Sequence, residues 1–278
     1  MMVIGAVALD VLREARSRRW VLALAIAISL MLIFLALSLR MDVLDGALAS
    51  TRLFGALLGT DIRSVDVALR PVFRGTAYVI YYGGLSFGIL GCADFAPTLL
   101  SPGRIEQLLA LPIRRWELLA GTFLGVTALA VAGALYGAGG LVLLLGAKTG
   151  VWTIRPVLAA LLTGVGFSAL YAAMLSTALL VRSAALSAAV GGVLFVAGIV
   201  AGYRVKLAPL FHAGLGRSAF QVLTAMVPPI STLADTSASL AASAPVETIP
   251  LFSVLTGFIL FGLGVLALGA WHFEQKDF

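Results

Sequence analysis

Charge is scarce in this sequence. Only 12% of its 278 residues are Asp, Glu, Lys or Arg, and 61% are hydrophobic, whereas a soluble domain carries about 25% charged residues. Such a surface does not dissolve in water, which excludes a soluble globular chain. Histidine and cysteine are nearly absent too. The two histidines, His212 and His272, stand far apart, so the paired-histidine helix of a zinc hydrolase is missing. The single cysteine, Cys92, excludes an internal disulfide and reads as a small apolar helix residue. The nearest approach to a phosphate-binding loop, Gly146-Ala147-Lys148-Thr149, has Ala147 in the way. Gly166-Phe167-Ser168-Ala169-Leu170 lacks the last glycine of a serine-hydrolase turn. The sequence therefore predicts no enzyme: no catalytic residue, no bound cofactor and no metal site.

What is present is a series of apolar runs of about 20 residues, the length that spans a hydrocarbon core about 30 Å thick. The prediction is an all-α polytopic membrane protein with six spans, at about 21–39, 77–100, 118–145, 157–181, 184–203 and 251–270. Polar stretches are short, so residues 1–278 form one transmembrane domain, with external loops at 41–76 and 204–250. Asp94, near the end of the second span, is read as interfacial, since a charge at the bilayer centre is costly. Only Arg182 and Ser183 separate the fourth and fifth spans, which predicts a tight turn. Pro228, Pro229 and the Ser/Ala-rich stretch from Ser231 to Ser243 suggest short surface helices in the second external loop. Trp20, Trp116, Trp152 and Trp271 fall at span ends, where indoles favour the headgroup level, and Tyr81 and Tyr82 are placed there by the same argument. Gly84/Gly88, Gly121/Gly125, Gly133/Gly137 and Gly198/Gly202 have the spacing that lets two helix backbones approach.

Before the first span, Ile4, Val7, Ala8, Val11, Leu12 and Ala15 recur at helical spacing, with Asp10, Arg13, Glu14 and Ser17 elsewhere on the circumference. This predicts an amphipathic helix in the membrane interface. Arg13, Arg16, Arg18 and Arg19 crowd the start of the span and argue for a cytoplasmic N-terminus. An even number of spans returns the C-terminus to the same side, as expected of a multi-pass inner (cytoplasmic) membrane protein. The net charge of +6 is scattered among the spans, so anionic lipid headgroups rather than nucleic acid are the expected charged partner.

The stretch from Ser101 to Phe123 carries the functional signal. A helix is expected to start near Pro102 and stop at Pro112, with Ile105, Leu108, Leu109 and Pro112 on one side. Gly103, Ile105, Glu106, Leu108, Leu109, Pro112, Ile113, Arg115, Gly121 and Phe123 follow in order a pattern that resembles the permeases of type 2 ABC exporters, among them the permease of the nitrous-oxide-reductase maturation transporter. Arg104, Arg114 and Thr122 replace that family's usual threonine, serine and lysine.

The resemblance implies two permease subunits, either two copies of this chain or this chain with a homologue. Each would dock a soluble ABC ATPase that binds ATP and Mg. The docking elements would be the N-terminal interfacial helix (Leu12, Arg13, Glu14, Arg16, Arg18, Arg19) and a short cytoplasmic coupling helix. On the coupling helix, Ile105, Leu108 and Leu109 would supply apolar contacts with Pro112, and Arg104, Glu106, Arg114 and Arg115 polar ones. A plainer reading leaves Arg114 and Arg115 as lipid anchors. Two other functions compete. One is a membrane scaffold or mechanotransmission subunit whose external loops hold a periplasmic accessory protein; the other is a secondary carrier, which the near absence of deep polar residues disfavours.

Overall fold

The computed structural model of the chain describes residues 2–44, 47–53, 56–59, 63–101, 103, 113–211, 214–245 and 248–275. Helix α1 (Met2–Ser17) is followed after Arg18 by α2 (Arg19–Ser38). Four short strands come next: β1 (Leu39–Leu44), β2 (Ala47–Leu53), β3 (Ala56–Gly59) and β4 (Arg63–Ser64). Both β1 and β3 pair antiparallel with β2, and β4 also pairs with β2. The remaining elements are α3 (Val65–Cys92), α4 (Phe95–Leu99), α5 (Arg115–Thr149), α6 (Arg155–Val181), α7 (Ala184–Gly202), α8 (Arg204–Leu207), a 3₁₀ turn (Ala208–Leu210), α9 (Leu215–Ala225), α10 (Ile230–Ala241) and α11 (Thr248–Glu274).

Six helices are long and apolar enough to cross a membrane: α2, α3 continued through α4, α5, α6, α7 and α11. In lipid every backbone polar group must be satisfied within the protein, which makes helices the natural spanning element for these runs. The hydroxyls of Thr122 and Ser176, inside the long helices, are satisfied in the same way. Thr122 Oγ1 donates to Leu118 O at 2.9 Å, and Ser176 Oγ donates to Ala172 O at 2.9 Å. Helix α6 is the centre of the bundle and packs against α3, α5, α7, α10 and α11, whereas α2 lies on the rim with no buried residue. The tight turn after α6 forms as expected. Arg182 takes a left-handed conformation (φ 53°) with its N–H donating to Ala178 O at 2.8 Å, and Ser183 caps α7.

Three expectations need correction. The region 41–76 is not a loop throughout, because it contains the strands and α3 already begins at Val65. That earlier start moves Tyr81 from a span end to mid-helix, where it is fully buried, while Tyr82 packs edge-on against Phe195. The region 204–250 holds more than surface helices. Residues Ile230, Leu233, Ala234, Ala238 and Ala241 of α10 are fully buried against α3, α6 and α7. The Ser/Ala richness that suggested a loop is what lets α10 insert. Small side chains permit close backbone approach, and their hydroxyls find carbonyls: Ser231 Oγ donates to Ile199 O at 2.9 Å and Ser237 Oγ to Ala159 O at 3.0 Å.

Candidate functional site

At the α1 end of the bundle, α1 does not lie free in the interface. Its apolar face packs on α5, where a Cβ added at Gly121 would come within 2.5 Å of Val7 Cβ, and one at Gly125 within 2.9 Å of Ala8 O. Val11 and Ala15 are buried by this contact and Leu12 is half-buried. The same small-residue stripe of α5 continues to Gly133, which faces Leu24 of α2, and Gly137, which faces Ile80 of α3 and Ile28 of α2. One helix thus receives both α1 and α2. The pair Gly84/Gly88 faces Thr163 and Phe167 of α6, and Gly198/Gly202 faces Ile230 and Ser231 of α10.

Arg18, in the one-residue break between α1 and α2, joins three elements. Its guanidinium donates through Nη1 to Asp94 Oδ2 and through Nη2 to Glu14 Oε1, and its Cζ lies 4.1 Å from the centroid of the Phe95 ring. The side chain is only 15% exposed. Burial opposes its charge, but the bonds to Glu14 and Asp94 outweigh that and hold its pKa above the ordinary value. Trp20 adds an edge-on contact with Phe95, centroids 6.2 Å apart. Asp94 is half exposed overall in its side chain, with Oδ2 bound to Arg18 and Oδ1 buried. It opens α4, with Thr98 Oγ1 donating to its carbonyl at 2.6 Å.

Residues Arg104, Ile105, Glu106, Leu108, Leu109 and Pro112 lie outside the described residues; the structure describes their flanks. Gly103 is left-handed (φ 83°), a conformation in which glycine avoids the Cβ penalty. Arg114 is exposed and precedes α5; its backbone N–H donates to Glu117 Oε2 at 3.0 Å. An arginine side chain cannot accept a hydrogen bond, so Glu117 alone supplies this cap. Arg115 has an intramolecular role that sequence reasoning missed. Its Nη1 donates to Phe273 O at 3.1 Å and Glu274 O at 3.2 Å, satisfying carbonyls at the end of α11. On α1, Arg13 and Arg16 are exposed, as is Arg19 at the start of α2, while Glu14 is committed to Arg18. The elements brought together at this end of the bundle are therefore α1, α2, α4, α5 and the end of α11. Asp94 and Phe95 complete the junction. A lone aspartate at a span end signals an ion pair, but nothing in the sequence says with which arginine.

No protein-family model matches this chain, and no curated protein matches it. The functional reading accordingly rests on the residues themselves.

Proposed function

We propose that this chain is the membrane-spanning permease subunit of an ATP-binding cassette exporter in the cytoplasmic membrane, with its α1 end in the cytoplasm. A separate soluble ATPase docks on residues 101–114 and α1, and a second permease subunit completes the transporter. The observation that carries the reading is the Arg18 bridge. It ties α1 to α4, so the segment that follows α4 is mechanically linked to the N-terminal helix, and α1 is in turn seated on α5. Arg115 extends the linkage to α11. A push on residues 101–114 thus reaches four spanning helices at once, which is what an ATPase acting from outside the membrane requires.

The ATP and Mg belong to the partner; this chain supplies the lever. Ile105, Leu108 and Leu109 seat it in the ATPase, and Arg104, Glu106 and Arg114 line the rim. Leu108→Asp is expected to leave membrane insertion intact while the soluble ATPase no longer co-purifies and its turnover is no longer stimulated. Normal co-purification of the Leu108→Asp chain would refute the docking assignment.

A further inference from the structure

A cleft of about 170 Å³ opens between α2, α3 and α5. Trp20, Leu24, Ile28 and Met31 form its α2 wall, with Gly83 of α3 and Gly133 of α5 opposite, and no lining residue carries a charge, an amide or a hydroxyl. The Trp20 indole N–H and the Cys92 thiol are the only polar side-chain groups in the lining, so the cleft favours an apolar occupant over water. The helix rise from Trp20 to Met31 is about 16 Å, about half of a 30 Å hydrocarbon core. The cleft therefore runs about one leaflet deep from the end at which α1 lies. That end is cationic. Arg13, Arg16 and Arg19 are exposed there, while Glu14 and Asp94 are both bound to Arg18.

We propose that the cleft seats one acyl chain of an anionic phospholipid, with its phosphate held beside Arg16 and Arg19. Depth, apolar lining and charge at the mouth each fit one part of that molecule. The apolar cleft uses none of residues 101–114, but Arg16 lies on α1, which the ATPase would also contact, so the Gly83 and Ala130 variants test the lipid site apart from the docking.

Gly83 gives a direct test, because a Cβ there meets nothing within 4 Å. Gly83→Leu extends a side chain into the cleft from a position where its Cβ meets no neighbour, and Ala130→Phe does so from α5. Gly257→Leu on α11, where a Cβ also meets nothing, is the control for added bulk. The purified full chain is offered equal amounts of phosphatidylglycerol and phosphatidylcholine in detergent, and retained lipid is counted by native mass spectrometry. Wild type and Gly257→Leu are expected to retain phosphatidylglycerol preferentially, and both filling variants to lose it. The paired change Arg16→Gln and Arg19→Gln is expected to keep the retained lipid but lose the preference for phosphatidylglycerol. Equal retention by wild type and the filling variants, no retention by wild type, or retention by a monomer but not by a dimer whose second copy closes the cleft would each overturn the proposal.

Discussion

Replacing Arg18 with alanine leaves Glu14 and Asp94 without their shared cation at a part-buried junction. Hydrogen bonds to charged groups contribute about 1.5–3 kcal/mol each, and the half exposure of Asp94 places the expected loss at the low end of that range. A lower midpoint of thermal unfolding in detergent checks this. Arg18→Lys recovers only part of the loss, because a single ammonium lacks the planar fork that serves two carboxylates. At Gly125, valine would press on Ala8 O and Val11. Overpacking of this kind costs about 1–3 kcal/mol, and here it is relieved by lifting α1. Trypsin is therefore expected to cleave Gly125→Val faster after Arg13 and Arg16, and unchanged cleavage would contradict the seating of α1 on α5. The sequence showed the small-residue spacing at Gly121 and Gly125 but not the partner, which is α1 rather than another span. Likewise four arginines crowd the first span, and composition alone cannot single out Arg18, because its role depends on a carboxylate 76 residues away.

At the level of elements, apolar run length alone located the spans to within a few residues for α2, α5, α6, α7 and α11, since chain length in the bilayer is a physical requirement. It failed where burial is supplied by protein rather than lipid. Helix α10 is rich in Ser and Ala and reads as surface, yet its small face is packed among α3, α6 and α7. Ser237→Leu places a large side chain at a 2% exposed position and removes the bond to Ala159 O. The expected result is a displaced α10, seen as faster amide hydrogen exchange across residues 230–241 with little change in α11. Tyr78 Oη, which donates to Asp235 Oδ1 at 2.6 Å, links the same helix to α3. Tyr78→Phe is expected to speed exchange in α10 more mildly, because one hydrogen bond is lost without added bulk. The start of α3 was missed because Arg70, Pro71 and Arg74 interrupt the apolar pattern, although the helix runs through them.

Across the whole molecule, the end that carries α1, Arg18 and the start of α5 is cross-linked by side chains, and α1 and α2 are both laid along α5. Coupling of an external ATPase to the spans requires residues 101–114 to face the compartment that holds the nucleotide. Cys92 is 2% exposed, so the native protein gives a quiet thiol background, and Arg114 is exposed next to the segment in question. The most direct measurement is reaction of Arg114→Cys with a membrane-impermeant maleimide, in intact cells and in inverted membrane vesicles, with and without the bound ATPase subunit. The account predicts labelling in inverted vesicles only, and protection when the ATPase is bound. Labelling from the outside of intact cells, or labelling in vesicles that the bound ATPase leaves unchanged, would contradict it.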